Sequence, residues 1–416
     1  MAQDGSIARG AISFTDPDVQ RCPFAAYAEV RKSGPVYHDP KTGFFIVTDY
    51  EQIQKVAADP ALFSSVTGLL LVKEGPGQEN IGAIYAEEGF PPVSTLVVTD
   101  PPVHTFHRAL LDKIFTAARV REMETYLESV IDGMIDEFID RGEVEFYQEM
   151  AMKVPLYVIA DQLGVPRDNF KDFKRWVDAI VQEADPNNDE ATQIEVTRTI
   201  CEFQRYLAQK AEEFQRTPGK GILSDIVHAE VDGRRLGMPE LVSLFAQLLA
   251  AGSETTGNAI TLAVHAMISR PGMEETLRAD PALIPNFVEE VLRLEAPVQG
   301  LFRRATRDTA IAGVAIPEGS IVIVRYGAGN RDPSQFPDPD AMDLHRPNAR
   351  RHIAFGSGPH FCIGNLLARS ELRIALTRLL ARLRHIRLAR GQEGVSWRSH
   401  FFVYGPDRLE IAFDRI

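Results

Sequence analysis

The chain has 416 residues, 44% of them hydrophobic, and a formal net charge of −13 at pH 7. Such an apolar fraction can bury a substantial core, and the acidic balance argues against nucleic acid as a partner. Three cysteines, Cys22, Cys201 and Cys362, imply no disulfide framework if one of them is a metal ligand, which suits a reducing cytoplasm. Met1 to Gly5 show neither the basic nor the apolar region of a leader. No stretch approaches a transmembrane length free of charge, so a soluble chain without a membrane anchor is expected. No Pro/Gly/Ser-rich linker, repeat or low-complexity segment interrupts it. That favours a single domain over residues 1–416, with 1–17 as a loosely ordered arm.

In chain order, residues 18–33 read as a first helix ending at Ser33-Gly34-Pro35. Val36–His38 and Phe44–Val47 flank the turn sequence Asp39-Pro40-Lys41-Thr42-Gly43 and form a hairpin. A helix over about 49–58 stops at Asp59-Pro60. From Ser64 to Thr99 periodicity is poor and Gly and Pro recur, and a loop of that length is usually functional or disordered. Its apolar residues, among them Leu69, Leu70, Leu71, Ile81, Ile84, Val97 and Val98, suggest a substrate lid. Asp100-Pro101-Pro102 then starts a helix on which His104 and Arg108 share a face, either as a solvated pair or as a binding pair. Residues 118–235 are mostly helical, with Trp176, Ile180 and Val181 at spacings that suit a pocket wall or plain core.

Pro239 opens a helix to about Arg270, roughly 48 Å long at the usual rise per residue. Leu241, Val242, Leu244, Phe245, Leu248 and Leu249 wrap most of its circumference, so its first half should be buried. Inside it, Ala251-Gly252-Ser253-Glu254-Thr255-Thr256 places a Gly, an acid and hydroxyls where they are locally costly. Such an inconsistency marks function, although Thr255 could instead bond back to its own helix. Gln247, one turn earlier, and Gln299 point to a mainly apolar substrate with a polar handle, or to local backbone satisfaction. Residues 285–295 form another helix with Glu290 and Arg293 facing one way. Thr309–Ile311 and Ile321–Val324 read as strands around Gly313–Gly319, and Ser399–Gly405 reads as a hairpin whose tip reaches towards a pocket.

The most informative stretch is Phe355-Gly356-Ser357-Gly358-Pro359-His360-Phe361-Cys362-Ile363-Gly364, leading into a helix with an apolar stripe of Leu366, Leu367, Ile374 and Leu379. Cys362 lies at that helix's N-terminus, where free N–H groups and the dipole favour a thiolate. Gly356, Gly358 and Gly364 leave room for something large and flat to approach the backbone. A buried structural Cys is the alternative. No second Cys or His stands at zinc-ligand spacing.

This run resembles the haem-binding signature of the cytochromes P-450, Phe-Gly-x-Gly-x-His-x-Cys-x-Gly-x-x-Leu-Ala-Arg, at every fixed position, and the resemblance runs from roughly residue 20 to the end. It implies a mainly α fold with a smaller β region, a long central helix over haem and the Cys loop beneath it. By resemblance Cys362 is the axial thiolate of a haem b iron. His360, His104, Arg108 and Arg303 hold propionates, and Gly364 lets the next helix pass near the porphyrin beside Phe355. The Ala251–Thr256 run resembles the family's oxygen-facing motif, with Glu254 delivering protons and Thr255 positioning a hydrogen bond towards O2. Glu290, Arg293 and Arg346 match a buried structural triad.

The resemblance also implies a substrate pocket near Val97, Val98, Ile180, Gln247, Ala251, Val298, Gln299, Leu301, Phe401 and Phe402. The implied activity is insertion of one oxygen atom into a small organic substrate by a cytoplasmic monomer. Because no flavin or Cys-rich cluster motif is present, electrons would come from a separate ferredoxin and its NAD(P)H-dependent reductase. Arg350, Arg351, Arg108, Lys113 and Arg119 are expected to form the docking patch. A peroxygenase of the same fold, or a non-catalytic haem sensor or carrier, are the alternatives, and the intact Glu254–Thr255 pair argues against both.

Overall fold

The computed structural model describes residues 12–67, 78–165, 169–183 and 188–416. It is mainly helical with smaller sheets, and packs as two compact units that interleave along the chain. The first unit takes residues 1–65, 120–154 and 255–416, and the second takes 66–119 and 155–254. Helix Met238–Ile268, expected from Pro239 to about Arg270, passes from the second to the first between Glu254 and Thr255. Among the described residues, no helix is long and apolar enough to cross a membrane.

The first unit is built on a five-stranded sheet in the order Val36–His38, Phe45–Val47, Ile321–Val324, Leu301–Ala305, Phe63–Ser64. Ile321–Val324 runs parallel to Phe45–Val47 and the other pairs are antiparallel. Val47, Val322 and Val324 turn into a core with Ile53, Phe63 and Phe336. Alternation along Leu301–Ala305 buries Arg303 and exposes Arg304, which separates two arginines that composition alone cannot tell apart.

Several expectations are corrected in this unit. The first helix is two, Pro17–Arg21 and Phe24–Arg31, because Pro23 cannot continue the hydrogen-bond ladder. Residues 12–17 are not a loose arm throughout. Phe14 is buried, and Ser13 Oγ donates to the buried carboxylate of Asp39 at 2.8 Å. Thr309–Ile311 pairs with Val314–Ile316 and not with Ile321–Val324, across a tight turn in which Ala312 and Gly313 both take positive φ. Ser399–Gly405 holds no paired hairpin of its own; it connects strands Val395–Trp397 and Pro406–Arg415. On the helix after Cys362, Leu366 stands exposed, while Ile374 and Leu379 are buried. Arg373 and Arg378 of that helix reach Glu124 and Asp132 on helix Ala117–Phe138.

The second unit contains helices Gln78–Glu88, Val103–Asp112, Phe170–Gln182 and Glu190–Arg216, with a core of Phe173, Trp176, Phe203 and Leu207. The stretch read as a long loop thus carries a helix, Gln78–Glu88, whose Tyr85 is buried. Leu69, Leu70 and Leu71 lie outside the described residues. The chain after that helix is clipped to Glu190–Arg216 by Gln204, which accepts from Phe90 N–H at 2.8 Å and donates to Phe90 O at 3.1 Å. Glycine at position 89 leaves room for this clip, because a Cβ there would stand 2.3 Å from Gln204 Oε1 and 2.7 Å from Cys201 Sγ and would force both to shift.

A buried ion network fixes the irregular chain after the main sheet. Glu290, fully buried on helix Ile284–Glu295, accepts from Arg293 Nε at 2.6 Å and Nη2 at 2.9 Å, and from Arg346 Nε at 3.1 Å. The remaining guanidinium N–H groups donate to carbonyls of Asn330, Pro337, Pro339 and Ala341. Two arginines therefore organise a segment that has little regular backbone pairing. Removing one partner of such a pair strands a buried charge, so Arg293→Ala should cost about 3–5 kcal/mol in a urea unfolding titration. A loss below about 1 kcal/mol would show the network to be dispensable.

Candidate functional site

In the first unit the site is built around the turn leading to Cys362. Gly356 and Gly358 take positive φ, and a Cβ on Gly358 would stand 2.4 Å from the carbonyl oxygen of Ala57 on helix Tyr50–Ala58. The turn is closed by Cys362 N–H donating to Phe355 O at 2.9 Å. Cys362 is half-buried and stands just before helix Asn365–Arg382, with Gly364 as the N-cap. A Cβ on Gly364 would lie 4.0 Å from the Cys362 sulfur, an ordinary contact distance.

Donors for an anion stand in the same unit. Arg303 is buried; its Nη1 donates to Phe302 O at 2.7 Å, and its Nη2 has no hydrogen-bond partner among the described residues. The buried phenol of Tyr326 lies beside it, its pKa raised by burial and opposed by the Arg303 charge. His360 Nε2 lies 3.0 Å from Ser65 Oγ. A buried guanidinium with an unused N–H calls for a carboxylate or similar anion. A cysteine on a glycine-lined turn and, in the same unit, a buried guanidinium with a spare N–H are a donor set that fits a flat, carboxylate-bearing metal cofactor.

Two expected pocket segments are brought together here. Val298 bridges to Val403, Gln299 N–H donates to Phe402 O at 2.7 Å, and Phe401 and Phe402 pack on Phe302. Val298, Leu301, Phe401 and Phe402 are all partly exposed, as is Thr255. Gln299 does not offer a polar handle. Its Oε1 accepts from Tyr27 OH at 2.8 Å, and its Nε2 donates to Glu295 O and Ala296 O.

In the second unit, His104 is buried on helix Val103–Asp112, and Arg108 pairs with Asp112 at 2.9 Å. Val97 and Val98 sit on a single turn, Leu96–Val98, held from two sides. Gln247 Oε1 accepts from Val97 N–H at 3.1 Å, so its oxygen serves the backbone. His107 Nδ1 accepts from Leu96 N–H at 3.2 Å, which leaves its Nε2 as the donor facing Glu240. Ile180 is buried. On the long helix Ala251 and Gly252 are exposed although Leu248, Leu249 and Ser253 are buried, and a Cβ on Gly252 would meet nothing within 4 Å. Glu254 is partly exposed. Of the expected docking cations, Lys113 donates to Glu230 O and Arg119 pairs with Asp225 at 3.3 Å.

One charged residue near the cysteine turn goes unremarked in the sequence. Glu289 is buried beside Glu290 and accepts from His352 Nε2 at 2.9 Å and Arg369 Nε at 2.8 Å. The signal was available, since two consecutive acids amid Phe287, Val288, Val291 and Leu292 can both be buried only if each finds its own cations. Burial pushes the Glu289 carboxyl up, but the bonds from His352 and Arg369 outweigh it and hold it at about 2. Burial pushes the His352 imidazole below its ordinary value, with Glu289 pulling the other way.

Comparison with known proteins gives one consistent answer. The family model described as Cytochrome P450 matches residues 70–394. Cytochrome P450 107B1 of Saccharopolyspora erythraea is 34% identical over 88% of each chain. The 6-deoxyerythronolide B hydroxylase of the same organism is 33% identical, covering 94% of this chain and 96% of its own. The solved structure of cytochrome P450 CYP109Q5 from Chondromyces apiculatus superposes with a TM-score of 0.87 at 34% identity, over 97% and 98% of the two chains.

The buried His352 has a direct consequence for acid stability. Its folded pKa lies below the ordinary 6.5, so as pH falls through 6.5 the unfolded chain takes up a proton that the folded chain refuses. That contribution to stability is present above 6.5 and shrinks below it. His352→Gln should therefore flatten the fall in unfolding free energy between about pH 7 and pH 5, measured by urea titration at several pH values. Equal slopes for the two proteins would refute the assignment.

Proposed function

The chain belongs to the cytochrome P450 family and is a haem-dependent monooxygenase; on that premise we propose that Cys362 supplies the axial thiolate to a haem b. The observation that carries this reading is the buried, under-used Arg303 guanidinium in the same unit as a half-buried cysteine on a glycine-lined turn. When bound, the haem supplies the oxygen-activating chemistry, which thiolate ligation favours. Arg303 and His360, with His104 and Arg108 matched from the family motif, would hold its propionates. Phe355 and Gly364 would border it, and Ala251 would face it from the long helix.

The substrate proposed is a small, mainly apolar organic molecule. Its pocket would draw on Val97, Val98, Ile180, Ala251, Val298, Leu301, Phe401 and Phe402. Gln247 would act on it indirectly, by holding Val97. Electron supply is proposed from an iron–sulfur ferredoxin and an NAD(P)H-dependent reductase. Supporting this is an open groove of about 560 Å³ against the cysteine turn, lined by Tyr50, Gln54, Gln335, Arg351 and Gly358. The side chain of Arg350, adjacent to Arg351, is 76% exposed. Opposite charge at such a rim speeds encounter more than it adds affinity. A cytoplasmic location is proposed from the low cysteine content.

Two residues are assigned to protons. Glu254 is partly exposed on a helix otherwise largely buried, so its carboxyl can relay protons from solvent to the oxygen site. The Thr255 hydroxyl would fix the position at which such a proton is held. Thr255→Ala should continue to consume O2 and reduced nicotinamide but release much of it as hydrogen peroxide. Glu254→Gln should slow turnover by about tenfold or more and enlarge its solvent isotope effect. Wild-type rate and coupling in both variants would make the pair structural.

The primary test is spectroscopic. Reduced, CO-treated protein should show the strongly red-shifted Soret band of thiolate ligation, and Cys362→His should abolish that band while retaining haem. An unchanged spectrum in the variant would refute Cys362 as the ligand.

A further inference from the structure

We propose that Glu289 is a positioning residue for the thiolate ligand: it clamps the Cys362 turn from both flanks and so sets the reduction potential of the bound iron. The proposal rests on the haem-thiolate reading above. Upstream of the cysteine, His352 Nδ1 accepts from Ala354 N–H at 3.2 Å, which fixes a neutral ring whose Nε2–H donates to Glu289 Oε2 at 2.9 Å. Downstream, Arg369 donates to both carboxylate oxygens, Nε to Oε1 at 2.8 Å and Nη2 to Oε2 at 3.2 Å. One carboxylate thus ties the strand of chain entering the turn to the helix leaving it.

The clamp reaches the backbone of the cysteine by two routes. Arg369 Nη1 donates to Asn365 Oδ1 at 2.8 Å, and Asn365 Nδ2 donates to Cys362 O at 2.8 Å. The same guanidinium lies over the Phe355 ring, 4.4 Å from its centroid, and Phe355 O accepts the Cys362 N–H at 2.9 Å. Both polar backbone groups of Cys362 are therefore held by residues that Arg369 holds, and Arg369 is held by Glu289. The neighbouring Glu290 provides a contrast within one helix turn. Its partners are Arg293, Arg346 and the N–H of Asp343, all outside the cysteine turn.

Charge gives the clamp its direction. The Glu289 carboxylate neutralises Arg369 close to the cysteine backbone, and in a low-dielectric setting an unneutralised cation there stabilises the more electron-rich, reduced centre. Loss of the carboxylate should move the midpoint potential upward and weaken thiolate ligation.

The experiment uses purified holoenzyme, with two readouts: the midpoint potential by spectroelectrochemistry, and the lifetime of the red-shifted Soret band in the reduced CO complex. Glu289→Gln should raise the potential and shorten the lifetime at least about tenfold, while Glu289→Asp recovers much of both. Arg369→Gln should move both readouts and decides the question if Glu289→Gln yields no folded holoenzyme. Arg346→Lys, which weakens the Glu290 network, should leave the potential unmoved. Wild-type values in Glu289→Gln and Arg369→Gln, or an equal shift in Arg346→Lys, would overturn the proposal. A wild type lacking the red-shifted band would sink the haem-thiolate reading itself; a normal wild type with unmoved variants sinks only the clamp.

Discussion

Helix Ile284–Glu295 buries an unbroken run from Phe287 to Leu294, and that run includes two carboxylates side by side. Taking a carboxylate out of water costs several kcal/mol, recovered only when cations and hydrogen bonds surround it in good geometry. The helix itself can supply one such cation, Arg293. The others must be brought from elsewhere: Arg346 from irregular chain, His352 from before the cysteine turn and Arg369 from after it. A local sequence decision on one helix thereby dictates where a long, poorly paired segment of the chain must lie. Such networks add little net stability compared with apolar packing, but an arrangement that leaves one of these charges buried without its partner costs about 3–5 kcal/mol. That suits a segment which must hold one sulfur in place.

The elements most legible in the sequence were those whose signal is covalent or strictly periodic. The cysteine run, the long apolar helix and the Glu290–Arg293 spacing needed no tertiary information. Errors arose where pairing partners had to be chosen. Thr309–Ile311 had two strand-like runs after it, and only the turn chemistry of Ala312-Gly313 selects the nearer one. Helix Gln78–Glu88 was hidden because Gly82 lies within it and Gly75-Pro76-Gly77 precede it, so local propensity argues against a helix that packing onto Glu190–Arg216 sustains.

Polar residues were the hardest to read for role. Gln247 and Gln299 look alike in sequence, each a lone amide on an apolar background. The structure shows the Gln247 oxygen engaged with the backbone of Val97, and the whole Gln299 amide engaged with Tyr27 and two carbonyls. No propensity scale distinguishes an amide that meets a ligand from one that closes a backbone gap. Glu289 failed in the opposite direction, its neighbour's motif drawing attention away from an equally buried charge.

Gln204 limits how such a protein can diversify. It grips both the N–H and the carbonyl of Phe90, and the glycine beside Phe90 has no room for a side chain against it. Because the grip is on backbone groups, a segment swapped in from a relative between residues 78 and 90 keeps it with any residue but proline at 90, yet must bring a glycine at 89 unless position 204 changes with it. Natural variation or laboratory recombination of this region is thus constrained to move in matched pairs, one partner on each side of more than a hundred intervening residues.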